Sequence, residues 1–202
     1  MEVGSMELAG TVIIAVGLAV GVSALVALHL LPTGLSPIRN PVSQYGITRY
    51  RAGYRVQTLA YAVAGVGAAI GLSQVRGPAS TTVVVALCVI FAATRAAISW
   101  FPMDKPGGET TATGRWHRVL ALVAFGSVGV AAGQLGRLLN HDKTHASLAS
   151  ASDVLAVLIL ISFLAMAVGR ARPTGGYFGL AERGFYLCAT IWFVAVALLL
   201  AH

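Results

Sequence analysis

Several side chains that could do chemistry lie near the ends of the apolar segments of this sequence. Four of them are predicted to lie at a similar depth, near the segment ends of one side: His29, Asp104, His117 and Glu182. Two imidazoles and two carboxylates at one level could bind a divalent metal such as zinc, so a membrane-embedded, metal-dependent enzyme acting on a lipid is one hypothesis. A haem between the two histidines is another. Hydrogen bonding at helix ends explains each residue separately, and their spacing matches no local metal motif.

One arginine lies inside an apolar segment rather than at its edge. Arg95 is about six residues from the end of the third segment. An arginine at such depth costs a few kcal/mol and usually faces the bundle interior, although its long side chain could also extend to the interface. A guanidinium can grip a carboxylate or phosphate with two hydrogen bonds. We therefore expect Arg95 either to reach the interface, to pair with Asp104 or Glu182, or to bind an anionic headgroup.

The polar residues at this end also suggest a binding site without catalysis. Nine side chains are candidates for contact with a ligand: Arg39, Asn40, Ser43, Tyr45, Arg95, Asp104, His117, Glu182 and Arg183. They predict a polar mouth that binds an anionic lipid, a small ligand or a partner protein. The chain has no GxSxG, HExxH or Walker sequence, so no catalytic residue is assigned. Apart from the metal alternative, no cofactor is expected, and a transporter is a further alternative.

The elements that must position these residues are transmembrane helices. The chain is 57% hydrophobic and 10% charged, whereas soluble domains typically carry about 25% charged residues. About 20 helical residues cross a bilayer, and six apolar stretches reach that length. We therefore predict an all-α membrane protein, a single bundle of six transmembrane helices over residues 1–202, with spans at about 6–31, 53–75, 80–101, 116–139, 148–169 and 184–201. Pairs such as Gly17/Gly21, Gly67/Gly71 and Gly129/Gly133 indicate close helix packing.

The basic residues are distributed unequally between the two sides of the predicted bundle. Ten flank the connections of one side: Arg39, Arg49, Arg51, Arg55, Lys105, Arg115, Arg118, Arg170, Arg172 and Arg183. The other side has Arg76, Arg137 and Lys143. Positive charge beside spans marks the cytoplasmic side, so both termini should be extracytoplasmic, in the plasma membrane. Because these charges border spans, nucleic acid is not an expected partner. The expected partners are membrane lipids, together with a second copy of the chain or another membrane protein.

Three motifs share the basic side. The connection between the first two spans contains PTGLSPIRNPVSQYG and is predicted to be a re-entrant or interfacial loop across the bundle mouth. The other two motifs are FPMD, followed by a Gly…His helix start, and GLAERGF. Together the three resemble the bacterial integral-membrane family catalogued as domain of unknown function 998, in its actinobacterial form, from about His29 to Phe185. The resemblance implies a polytopic membrane protein and assigns it no activity or catalytic residues.

Overall fold

The computed structural model describes residues 3–75, 80–141, 143–170 and 176–201, and these residues form helices and connections with no strand. The α-helices are α1 (Val3–Leu30), α2 (Arg51–Leu72), α3 (Thr82–Ile98), α4 (Ala112–Leu139), α5 (Ala146–Arg170) and α6 (Phe178–Leu200). Short 3-10 helices occupy Val42–Ile47 and Lys143–His145. Helix is the expected outcome for apolar runs of this length, because a segment in lipid must satisfy its backbone hydrogen bonds internally.

Five helices are long and apolar enough to cross a membrane, namely α1, α2, α4, α5 and α6. The remaining one, α3, has 17 residues, which is about 25 Å at 1.5 Å per residue against a hydrocarbon core of about 30 Å. A multi-pass helical membrane protein is therefore confirmed, with five helices of spanning length where the sequence predicts six. Two of the charges used for the orientation, Arg76 and Arg172, lie outside the described residues.

The helix boundaries differ from the predicted ones most clearly at α6. This helix begins at Phe178, six residues before the predicted span at 184, because Glu182 and Arg183 find hydrogen-bond partners in a neighbouring connection. The fourth helix begins at Ala112 rather than 116. Its N-cap residue, Thr111, accepts a hydrogen bond from Gly114 N–H, which satisfies one of the free amides of the first turn.

Small residues bring α1 and α2 into close contact. A Cβ added to Gly10 would lie 2.8 Å from the carbonyl oxygen of Gly67, and one added to Gly17 would lie 2.7 Å from that of Ala60. Neither position therefore has room for a side chain. The close packing predicted from the glycine pairs is confirmed at Gly17 and Gly67.

Consecutive helices pack against one another, and α6 returns to contact α1 and α2. Aromatic side chains of α3, α4 and α6 meet inside the bundle, as in the pairs Phe91–Phe193 and Phe125–Phe185. We call the end where α1, α3 and α5 terminate and α2, α4 and α6 begin the basic end. All three sequence motifs lie there.

Candidate functional site

A cavity of about 550 Å³ lies at the basic end of the bundle. Its walls come from the loop around Pro41–Gln44, the last turn of α3, the α3–α4 connection, the first half of α4, the last turns of α5 and the start of α6. Five of the predicted site residues line it: Ser43, Arg95, Asp104, His117 and Glu182. Residues far apart in sequence, which were grouped by predicted depth alone, thus converge on one space.

Arg95 is buried in the bundle, with 1% of its surface exposed. One terminal nitrogen donates to Gln57 Oε1 at 3.1 Å, and the guanidinium carbon lies 5.3 Å from the centre of the Tyr186 ring. Its Nε and the Gln57 Nε2 have no hydrogen-bond partner. Within the described residues, no carboxylate oxygen lies within 4.0 Å of this guanidinium, and Asp104 is paired with Arg118 instead. Arg95 therefore forms neither of the ion pairs that the sequence suggests, and it does not reach the surface.

Glu182 fixes the loop between α1 and α2 against the start of α6. Its side chain is buried, and Oε2 accepts the Val42 N–H at 2.6 Å. A second contact joins the same segments, because Leu180 N–H donates to Ile38 O at 2.9 Å. Gly179 allows this approach, since an added Cβ would lie 2.7 Å from Pro37 O. The SPIRNPVSQYG and GLAERGF motifs are thus two halves of one contact.

Arg183 forms a second attachment, which we call the clasp and which consists of His29, Asn40, Tyr45 and Arg183. The arginine Nε donates to His29 Nε2 at 2.6 Å, and NH1 donates to Asn40 O at 2.9 Å. A longer contact of 3.5 Å reaches the Tyr45 hydroxyl. The clasp joins α1, the loop and α6 but does not line the cavity. Arg39 is exposed and belongs to neither group.

The clasp also determines the chemical form of His29. An arginine can only donate hydrogen bonds, so His29 Nε2 must be an acceptor. The other ring nitrogen lies 2.6 Å from Leu25 O and must carry the proton. Protein groups therefore occupy both ring nitrogens, and neither is free to bind a metal ion or a haem iron. Across the described residues there is no group of three or more His, Cys, Asp or Glu side chains placed to hold a metal ion.

Asp104 organises the start of α4. Its Oδ1 accepts the Thr111 hydroxyl at 2.7 Å and the Thr111 N–H at 3.1 Å, and these two hydrogen bonds lower the pKa of Asp104 below its usual value. The Arg118 guanidinium lies 3.9 Å from Oδ2. A Cβ at Gly114 would overlap the same carboxylate, so any side chain there would displace Asp104 from this position. Asp104 remains ionised and holds Arg118 at the cavity.

His117 is buried and lines the same cavity. Its Nδ1 lies 2.7 Å from Phe101 O, a carbonyl that can only accept. The proton is therefore on Nδ1, and Nε2 of the neutral ring is left as an acceptor. His117 can thus accept a hydrogen bond from a hydroxyl or amine group of a ligand.

The cavity combines a polar floor with an apolar wall. Its cations, Arg95, Lys105 and Arg118, outnumber its carboxylates, Asp104 and Glu182, by one. The wall is formed by side chains of α4, α5 and α6, among them Leu122, Phe125, Phe163, Met166 and Phe178. A concave, mostly apolar space with a few convergent polar groups is typical of ligand-binding sites, and an excess of positive charge favours an anionic ligand.

Four residues that shape the site were not among the sequence candidates: Gln57, Thr111, Gly114 and Gly179. Gln57 had a signal, since an amide inside an apolar span must find a partner. Thr111 could have been recognised as a helix N-cap three residues before Gly114. The sequence contains no signal for Gly114 and Gly179, because their small size matters only when another segment comes close to them.

A family model described as "Protein of unknown function (DUF998)" matches residues 13–199. No curated protein and no solved structure matches the chain. The matched range includes all three motifs of the basic end and all the residues of the cavity. The chain belongs to the DUF998 family of membrane proteins.

Proposed function

We propose that this protein binds a ligand with an acidic group, either a lipid or a small molecule, in the cavity at the basic end, with Arg95 as the principal contact. Binding rather than catalysis is the role. We also propose that α3 crosses the membrane as a sixth span, that both termini are extracytoplasmic and that the basic end faces the cytoplasm. The positive charge beside the spans supports this orientation. The membrane that we propose is the plasma membrane.

The observation that carries the proposal is the state of Arg95. Moving a charged group out of water costs several kcal/mol after relaxation unless a partner compensates. Arg95 is fully buried, its Nε is unsatisfied and no carboxylate within the described residues is in contact with it. It also lines the cavity. An acidic group placed there would supply the missing acceptor, and hydrogen bonds between charged groups are roughly twice as strong as neutral ones.

The rest of the cavity supports a ligand with a polar and an apolar part. Arg118 and Lys105 add positive charge near the entrance, and the His117 ring offers an acceptor. Phe125 and Phe163 provide apolar surface. A volume of about 550 Å³ lies within the range of about 300–1,000 Å³ that small-molecule sites occupy.

Native mass spectrometry of the purified protein tests the proposal. We expect wild type to retain an anionic ligand through gentle delipidation, and Arg95→Gln to retain at least about tenfold less, a loss of about 1.4 kcal/mol. The control is Arg49→Gln, which removes an exposed arginine of the same end that does not line the cavity. Equal retention by all three proteins, or no retained anion in wild type, would contradict the proposal.

A further inference from the structure

We infer that the ligand is an anionic membrane lipid that enters from the side, with its acidic head at Arg95 and its acyl chain between the basic-end halves of α4 and α5. The inference rests on the proposed function and names the ligand class. It follows from how these two helices separate, from what lines the gap and from what surrounds it.

One face of α4 changes its neighbour along the helix. Away from the basic end, that face packs on α5: a Cβ at Gly129 would lie 3.0 Å from Ile159, and one at Gly133 would lie 3.7 Å from Ala156. Residues three or four apart share a helix face, so Phe125, Leu122 and Arg118 continue the same stripe. These three line the cavity instead.

The facing side of α5 shows the same change. Ala156 and Ile159 contact the glycines of α4, whereas Phe163, Met166 and Ala167, further along the same face, line the cavity. Gly126, which lies between the two regions of α4, has no atom within 4 Å of an added Cβ. The two helices therefore touch in one half and separate in the other.

The gap opens onto the apolar outer surface of the bundle. Leu122 lines the cavity and yet is 55% exposed, and Ala167 is an exposed lining residue opposite it. Their outer neighbours Val119, Leu164 and Val168 are exposed as well. In a membrane-spanning helix such a surface faces hydrocarbon, so the gap leads from lipid to Arg95.

Charge and size favour a lipid over a solute. Arg118 lies one helical turn before Leu122 and is partly exposed, so it can attract a headgroup phosphate to the mouth of the gap before the phosphate reaches Arg95. A cavity of about 550 Å³ matches a ligand of drug size. A two-chain lipid would fill it with its head and the start of one chain, and the remaining hydrocarbon would leave through the gap.

The test compares dioleoyl phosphatidic acid with glycerol 3-phosphate, which has the same head and no chain, by titration of delipidated protein and native mass spectrometry. Ala167→Trp and Leu122→Trp narrow the gap from opposite helices. Val168→Trp is the control, because Val168 is exposed beside the gap without lining the cavity. Size-exclusion chromatography checks that each variant remains monodisperse.

We expect phosphatidic acid to bind wild type and Val168→Trp equally, both gap variants to bind it at least tenfold more weakly, and glycerol 3-phosphate not to bind. Glycerol 3-phosphate that binds wild type and the gap variants equally, and binds Arg95→Gln more weakly, would overturn the lateral lipid route. The proposed function would then stand. If neither probe shows binding that depends on Arg95, both are overturned. Unchanged lipid binding in both gap variants overturns the route alone.

Discussion

The two halves of the α4–α5 pair differ although the same helices form them. In the half away from the basic end, Gly129, Gly133 and Gly136 lie against α5. In the other half, Arg118, Leu122 and Phe125 replace the glycines on the same face, and a cavity separates the helices. Small residues let helices approach closely in a bilayer, whereas larger side chains hold them apart. The packed half brings the two helices into close contact, and the open half contains the cavity to which we assign the proposed ligand.

The largest expected effect concerns the packed half. A Cβ at Gly136 would overlap the Asp153 carboxylate and lie 3.2 Å from Ala149 O. We expect Gly136→Leu to lower the free energy of unfolding by about 3 kcal/mol, the upper range for overpacking. Its matched control is Gly126→Leu, which meets open space and should not lower stability, because leucine also favours a helix more than glycine does. Thermal unfolding in detergent measures both, and equal losses would show that the halves do not differ in packing.

The next effect separates stability from binding in the open half. Burying a charge without a counter-charge is costly. Arg95→Met removes this cost and loses one hydrogen bond, to Gln57 Oε1, which contributes less, about 1 kcal/mol. Arg95→Met should therefore not lower the melting temperature of the delipidated protein, while its retention of anionic lipid falls at least tenfold, or about 1.4 kcal/mol. A clear drop in melting temperature with unchanged retention would make Arg95 a structural residue and would remove the basis of the proposed site.

A smaller effect is expected at the clasp, which holds the loop over the open half. Arg183→Gln keeps one amide donor group and so loses one of the two hydrogen bonds to His29 and Asn40, a loss of about 1 kcal/mol. Amide hydrogen exchange should become roughly fivefold faster at Val42–Ile47 and stay unchanged in the packed half of α4. Exchange that rises equally in both regions would indicate global destabilisation instead of a local attachment.

The smallest effect is a pH dependence at the start of α4. The hydrogen bonds from Thr111 lower the pKa of Asp104 in the folded protein, below the unfolded value of about 3.9. The resulting stabilisation is present above the unfolded pKa and is lost as the pH falls through the folded pKa. The melting temperature of Asp104→Asn should therefore fall less on acidification to pH 3 than that of wild type. Lys105→Gln, a charge change in the same connection, should retain the wild-type slope.

The sequence was sufficient to predict features that depend on local composition. Long apolar runs predicted the helices, and the depth of Arg95 within its segment indicated that it could face the bundle interior, where it is buried. Features that depend on contacts between distant segments could not be predicted from the sequence. The early start of α6 depends on the Val42 N–H, which donates a hydrogen bond to Glu182. The division of the candidates into cavity and clasp depends on which backbone carbonyls Arg183 contacts. The separation of α4 from α5 leaves no periodic signal.

Acyl-chain photo-crosslinking tests the central claim most directly. Phosphatidic acid with a diazirine near the carboxyl end of one chain would be activated in a bilayer containing the protein, and the labelled peptides identified by mass spectrometry. The account predicts labels in the basic-end halves of α4 and α5, around Leu122 and Ala167, which disappear in Arg95→Gln. Labels spread over the exposed faces of α1 and α6, unchanged by that substitution, would contradict it.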